Sequence, residues 1–452
     1  APAVLVRAES VDAGHLRPVP AWVAPSAELA PDQLAAVAHR GGPARIIAPA
    51  GSGKTRVLTE RLRHLLADRG HERDLLLAVA YNRKAQEEMV GRTVDLGARI
   101  QTLNALGYEL IGRHAGRRPQ VLDEREVRRR LEPHLPKLQH RLNTDPMAPY
   151  LEGLSVIRLG LRDPDEVELE ADAPGLAAAV GPYREGLRRD AVLDFDEQII
   201  HAVELLLSDG EFRRREQNRH RHLLVDEFQD LTPAHVLLLR LLAAPTYDVF
   251  GVGDDDQVIY GHAGASPQFL LRFAELFPGA HEHALEVNYR CPPAVVDAAR
   301  HLLGYNDERV AKTITAARPA GPGDALTVTL HPPQDGANRV VEVVRAAVEA
   351  AGDPSEVAVL TRTNSLLLAP HVALHGAGIP IASVLRRDVL QRVGLRAALA
   401  WLRVATDPGA IASADLTEIR RRPSRGFPNW IDKWLGRCRS GHEVAKAAER
   451  ID

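Results

Sequence analysis

The chain has 452 residues, 45% hydrophobic and 26% charged, which is enough apolar material for several cores and excludes a disordered polymer. Its formal net charge of −3 excludes a globally basic surface, so any contact with nucleic acid has to come from a local basic groove. Two cysteines, Cys291 and Cys438, are too few for a disulfide framework or a zinc site and fit a reducing, cytoplasmic setting.

Residues 1–25, rich in Ala, Val and Pro, read as a leader or linker; Pro18, Pro20 and Pro25 interrupt it, so no secretion signal is expected. From Pro31 onward, apolar runs alternate with helical patterns. The runs Ala44–Ile47, Leu75–Ala80, His222–Val225 and Asp248–Val252 each end at a motif, which predicts a parallel sheet covered by helices with chemistry at the strand ends.

The first run enters the octapeptide APAGSGKT, Ala48 to Thr55, which fits the P-loop spacing except that Ala48 stands at the first glycine. Backbone amides of Gly51, Ser52 and Gly53 can surround phosphates, Lys54 can reach the β and γ oxygens, and Thr55 can ligate Mg2+. The pattern predicts a nucleoside triphosphate site. The next segment, about residues 105–190, separates Lys54 from Asp226 by more than adjacent βα units need, so it is expected to be an inserted domain. It is helical in pattern, and the basic cluster in Arg125–Leu131 reads as a solvated face ahead of a phosphate contact.

The third run ends in VDEFQD. Asp226 can hold Mg2+ through water, and Glu227 can orient and deprotonate an attacking water; both roles need hard oxygen donors. The apolar window His235–Ala244 is broken by Arg240 and is far shorter than the roughly 20 residues of a spanning helix, so no membrane contact is expected. Later, Leu326–Leu330, a helical pattern over Val340–Val348 and Val357–Leu360 predict a second α/β block. From about Arg386 the pattern is helical and arginine-rich, with Trp401, Trp430 and Trp434.

Taken in order, LAPDQLAAV with Gln33, APAGSGKT, AVAYNRKAQEEM, VDEFQD, GVGDDDQVIY and LEVNYR resemble the motif series of a UvrD/Rep-like superfamily 1 DNA helicase over about residues 26–405. The resemblance implies an α/β fold of tandem RecA-like P-loop NTPase domains with helical insertions. Residues 26–104 and 191–284 would form the first domain (1A), 105–190 its 1B insertion, 285–385 the second domain (2A) and 386–452 the start of 2B. Leu193-Asp194-Phe195-Asp196 resembles the return into 1A.

The resemblance further implies that Gln33 reads the adenine edge while Arg56 and Tyr289 hold the two faces of the base, roles that a side-chain amide, a guanidinium and a ring can fill. Gln257 would sense the γ-phosphate and Arg290 would act as an arginine finger. Tyr81, Thr102, Tyr260 and His262 fall at positions that contact single-stranded DNA in the family. There the chain departs from the pattern: Thr102-Leu103-Asn104 stands for TFH, His262 for a stacking aromatic and Ala263 for an arginine. No segment resembles the late motifs V and VI, so the second domain is expected to be incomplete, whether the chain is a portion of a longer helicase or a natural truncation.

The implied activity is ATP- and Mg2+-dependent 3′ to 5′ movement on single-stranded DNA, with unwinding at single-strand/duplex junctions in repair or recombination. The alternative is a nucleotide-gated single-strand-binding or interaction module with little hydrolysis, working with a protein partner in a RecB-like assembly.

Overall fold

A computed structural model describes residues 21–137, 145–258, 264–320, 325–330, 336–382, 393–422 and 437–449. Tyr260, His262, Arg386, Trp430, Trp434 and most of the expected leader lie outside the described residues. The chain divides into two compact units, residues 1–327 and 328–452.

The first unit opens with helix α1 (Pro31–Val37), strand β1 (Ala44–Ile47) and helix α2 (Lys54–Arg63). Then come β2 (Leu76–Ala80), α3 (Arg83–Arg92), β3 (Ile100–Thr102) and α4 (Leu103–Ala115). The predominantly helical insertion follows: the short strand β4 (Gln120–Val121), α5 (Glu124–Leu131), α6 (Ala148–Leu159), α7 (Pro164–Glu170), α8 (Leu176–Asp190) and the short strand β5 (Val192–Leu193). The chain returns through α9 (Glu197–Ser208), α10 (Gly210–Arg219), β6 (His222–Val225), α11 (Pro233–Ala243), β7 (Val249–Gly253) and β8 (His281–Ala284).

The main sheet has six strands in the order β3-β2-β6-β7-β1-β8, and every pairing is parallel. Successive side chains along a strand leave on opposite faces. Ile47, Leu77, Val79, Leu223, Val225 and Val249 therefore pack under α4, α9 and α11, where they meet Leu106, Leu110, Ile199, Val203 and Leu239. Ile46, Leu76, Ala78, Leu224, Phe250 and Val252 face Ala36 and Val37 of α1 and Val57, Leu58 and Leu62 of α2. A strand covered on both faces needs apolar side chains throughout, which is why the expected runs lacked polar alternation. The two outermost strands were not anticipated: β3 has three residues, and β8 reads His-Glu-His-Ala and is mostly exposed.

Helix α4 comes into tight backbone contact with α9 at Gly107. A Cβ there would sit 2.3 Å from the carbonyl oxygen of Gln198. Gly107→Ala is expected to push the helices apart and lower stability by about 1–3 kcal/mol, read as a drop in the urea midpoint. An unchanged midpoint would contradict the close approach.

The insertion has its own core, built on Leu131, Leu154, Leu176, Tyr183 and Leu187. Its ends are tied where β4 pairs with β5. At the expected return segment, Arg158 reaches both Asp194 (2.8 Å) and Asp196 (3.0 Å), and Tyr183 donates to Asp194 at 2.6 Å. On α5, Arg128 pairs with Glu124 and Asp145 and Arg130 pairs with Asp190, so acidic neighbours neutralise part of the basic cluster.

In the second unit, helices cover Gly336–Ala351, Leu368–Gly376, Val393–Thr406, Ser413–Arg421 and Gly441–Ala448, with Ile411, Leu416 and Cys438 in a small core. The helix expected over Val340–Val348 lies within the first of these. Leu326–Leu330 and Val357–Leu360, expected as strands, join no ladder among the described residues. Val328, Leu330 and Leu360 are exposed, so these runs have no buried face to fix a strand register.

Candidate nucleotide site

Register decides where the motifs meet. Ile47 pairs with Gly253, and Val225 pairs with Gly251, so β1, β6 and β7 end side by side. Ala48 N–H donates to the Gly253 carbonyl and Asp226 N–H to that of Val79, each at 2.9 Å, carrying both ladders one residue further. The APAGSGKT loop, the Asp226-Glu227 pair and the Asp254–Gln257 turn thus emerge from one edge of the sheet.

Gly51 and Gly53 adopt left-handed conformations, φ 76° and 90°. A Cβ on Gly51 would lie 2.9 Å from the Asn288 side-chain amide, and one on Gly53 would lie 2.7 Å from Gln33 Nε2. Gly53 caps the start of α2 without a side-chain hydrogen bond, so the first-turn amides of the helix face the loop with their partial positive charge. Gln33, 2% exposed, donates from Nε2 to the Ser52 carbonyl at 2.8 Å. Ser52 Oγ is buried without a hydrogen-bond partner.

The NYR segment docks on this loop through the Asn288 side chain and the Tyr289 backbone. Asn288 Nδ2 donates to the Ala50 carbonyl (2.8 Å), Tyr289 N–H donates to that of Gly51 (2.9 Å), and Asn288 Oδ1 accepts from the N–H groups of Arg290 and Cys291. The Tyr289 ring is 39% exposed. Burial and then the charge of Asp32 raise its phenol pKa, with Arg56 opposing, which sets Arg56 and Tyr289 in one neighbourhood. Arg56 also donates to the Glu28 carbonyl at 3.0 Å.

A charged network joins the three strand ends. Lys54 Nζ lies 2.6 Å from Glu227 Oε2, and Gln229 Nε2 donates to the same oxygen at 2.8 Å. Gln229 Oε1 accepts from Asp254 N–H at 3.0 Å. Asp254 Oδ2 in turn accepts from Ala50 N–H (3.1 Å) and from Gln257 Nε2 (2.6 Å). Glu227 itself takes a left-handed φ of 47°, turning the chain as it leaves β6.

Two neighbouring carboxyls are poorly compensated. Burial, then the charge of Glu227, pushes Asp226 up to about 7 and Asp230 up to about 6. Asp226 Oδ1 is buried with no hydrogen-bond partner. That orphaned oxygen, with the half-buried Thr55 on the first turn of α2, forms a set of hard oxygen donors that fits Mg2+.

Tyr81 directly follows β2, and Thr102 closes β3 in register with Ala80. Both lie on the same sheet edge as the phosphate loop; β2 is three strand spacings from β1, roughly 15 Å. Thr102 Oγ1 accepts from Ala105 N–H and caps α4, and Asn104 donates to the Phe195 carbonyl. Gln229, Asp254 and Asn288 were not singled out from the sequence. Each is an amide or acid inside a quoted motif, and its role rests on a long-range pairing that spacing does not reveal.

A parallel sheet with a phosphate loop and an acidic pair on its C-terminal edge defines a P-loop nucleotide-binding core. Residues 29–278 match the UvrD/REP helicase N-terminal domain, and residues 283–440 match the UvrD-like helicase C-terminal domain. The chain belongs to the UvrD/Rep helicase family. It is 30% identical over 79% of its length to the putative ATP-dependent DNA helicase YjcD of Bacillus subtilis, covering 49% of that protein. Identity is 29% over 89% of the chain to the ATP-dependent DNA helicase PcrA of Staphylococcus epidermidis, covering 57% of it. It is 31% over 88% to the ATP-dependent DNA helicase UvrD1 of Mycobacterium tuberculosis, covering 55%. The chain thus spans about half the length of the curated relatives it matches. Among the described residues, no helix is long and apolar enough to cross a membrane.

Proposed function

We propose that this chain carries the ATP-hydrolysing core of a DNA helicase that moves 3′ to 5′ on single-stranded DNA and opens duplex at junctions. Residues 26–104 and 191–284 act as the first motor domain, 105–190 as its insertion, 285–385 as part of the second motor domain and 386–452 as the start of its insertion. The observation that carries this reading is the Lys54–Glu227 contact, which joins a phosphate-binding cation to a candidate base at 2.6 Å.

On ATP arrival, Lys54 exchanges Glu227 for phosphate oxygens. Glu227 then keeps only the Gln229 amide on its Oε2 and becomes free to accept a proton from water. Asp226 and Thr55 would hold Mg2+, which when bound neutralises charge on the β- and γ-phosphates. Gln33 sits at the adenine side of the loop, and Arg56 and Tyr289 flank the base. Gln257, steadied by Asp254, reads the γ-phosphate, and Arg290 supplies a positive fork to the transferring group. DNA-stimulated ATP hydrolysis, with displacement of a strand from a 3′-tailed but not a 5′-tailed duplex, is the expected result. Equal displacement from both substrates would overturn the polarity, and hydrolysis indifferent to DNA would overturn the motor.

Tyr81, Thr102, Tyr260 and His262 form the proposed single-strand path. Tyr81→Ala is expected to weaken binding of a labelled oligonucleotide by about 1–3 kcal/mol, the range for loss of one base–ring stack, while nucleotide affinity holds. Affinity should also fall linearly with the logarithm of salt concentration. Anisotropy titrations over a salt series test both; binding that ignores salt and substitution alike would remove Tyr81 from the path.

A further inference from the structure

Lys312 lies in the segment that follows the helix Pro293–Leu303, and its side chain is 0% exposed. Its ammonium sits 2.8 Å from Asp254, 2.6 Å from Asp255 and 2.8 Å from Asp256, so the three consecutive acids of the GDDDQ turn converge on a single charge. The grip is wider than one residue. Arg309 pairs with Asp256 at 2.7 Å, and Val310 N–H donates to Asp255 at 2.7 Å. Immediately beyond, Thr315–Ala316 pairs in parallel with Val287–Asn288, the strand that leads into Tyr289 and Arg290. One short segment therefore holds both the turn that carries Gln257 and the strand that carries the NYR residues.

The two oxygens of Asp254 divide the work. Oδ1 takes Lys312 at 2.8 Å, while Oδ2 takes Ala50 N–H of the phosphate loop and the Gln257 amide. Rotation of this carboxylate would break contacts to the loop and to Gln257 together. Burial alone would lower the pKa of Lys312, but the carboxylates of Asp254, Asp255 and Asp256 outweigh burial and keep it raised, so the anchor stays charged. A buried ammonium shared in this way is costly to disturb, because removing it leaves Asp254 and Asp255 without this counter-charge and Asp256 with Arg309 alone.

We propose that Lys312 is a positioning residue of the nucleotide site, fixing the Asp254 carboxylate so that Ala50 of the phosphate loop and Gln257 are held in one geometry. The proposal rests on the ATPase reading for its effect on turnover, but not for its effect on the geometry of the loop. The Lys312 ammonium is taken up by Asp254, Asp255 and Asp256. Its contribution passes through Asp254, so it belongs to the placement of Gln257 and not to nucleotide affinity.

The test uses the full chain with Lys312→Met, Lys312→Arg and Asp256→Asn, each with and without Gln257→Ala. In Lys312→Met, single-turnover hydrolysis is expected to fall about 10- to 100-fold, as for a misplaced reacting group, with affinity for a fluorescent ATP analogue kept within about threefold. Hydrogen exchange should quicken at Ala50 and across residues 254–257, and not in α8 of the insertion. Adding Gln257→Ala should cost little more, because both changes disable the same contact. Lys312→Arg should recover part of the rate, and Asp256→Asn, which leaves two of the three partners, should show a weaker loss in the same direction. If Lys312→Met fails to fold, these two milder variants carry the test.

Wild-type hydrolysis in Lys312→Met, losses that add fully to those of Gln257→Ala, or faster exchange throughout the unit would each overturn the proposal. If the wild-type chain binds no nucleotide, the ATPase reading fails instead. Exchange at Ala50 then still decides whether Lys312 positions the loop, and unchanged exchange there would reject it.

Discussion

Lys54→Ala is expected to weaken binding of an ATP analogue by about 10- to 100-fold, the value of a charge-assisted hydrogen bond, and to slow single-turnover hydrolysis by a further factor of about 100 to 1,000. The site explains why the loss should be large. Lys54 is the cation against Glu227, and Asp226 and Asp230 already carry raised pKa values from burial and from the Glu227 charge. Without the ammonium, the pocket offered to a triphosphate is acidic. Retained binding and turnover in this variant would mean that the loop does not face phosphate.

Glu227→Gln acts on the same ion pair with the opposite effect on binding. The amide cannot take a proton from water, so hydrolysis should fall about 100- to 10,000-fold. Lys54, released from its carboxylate partner, should bind phosphate at least as well as before. Expected results are an unchanged or tighter affinity and a stalled chemical step, separated by titration and single-turnover assay. Turnover at the wild-type rate would remove Glu227 as the base, and a loss of affinity matching that of Lys54→Ala would assign the carboxylate a structural role only.

The parts of the fold written in contiguous sequence were legible. Ala44–Ile47 and His222–Val225 were read at their observed bounds, and the other two central strands to within a residue, because strands buried on both faces appear as unbroken apolar runs. The edge strand His281–Ala284 is polar and mostly exposed, and Ile100–Thr102 offers a single apolar residue, so neither carries that signal. In Leu326–Leu330 and Val357–Leu360 the signal is present without the ladder, since an apolar run specifies a strand only when neighbours bury it. The site divides in the same way. Lys54, Asp226 and Glu227 announce themselves by motif, whereas Lys312 is one lysine in VAKTIT until three-dimensional packing sets it against Asp254, Asp255 and Asp256.

The strand order also bears on how the chain is made. β1 lies between β7 and β8, with Ile47 bonded in register opposite Gly253 and Ala284. During synthesis β1 leaves the ribosome long before either neighbour exists, and closing so long a loop costs entropy before any contact offsets it. The phosphate loop is therefore made early and seated late. A nascent chain halted before residue 249 should fail to retain ATP however well its helices have formed, and its unpaired β1 and the open edge of β6 would present apolar strands to chaperones until β7 and β8 arrive.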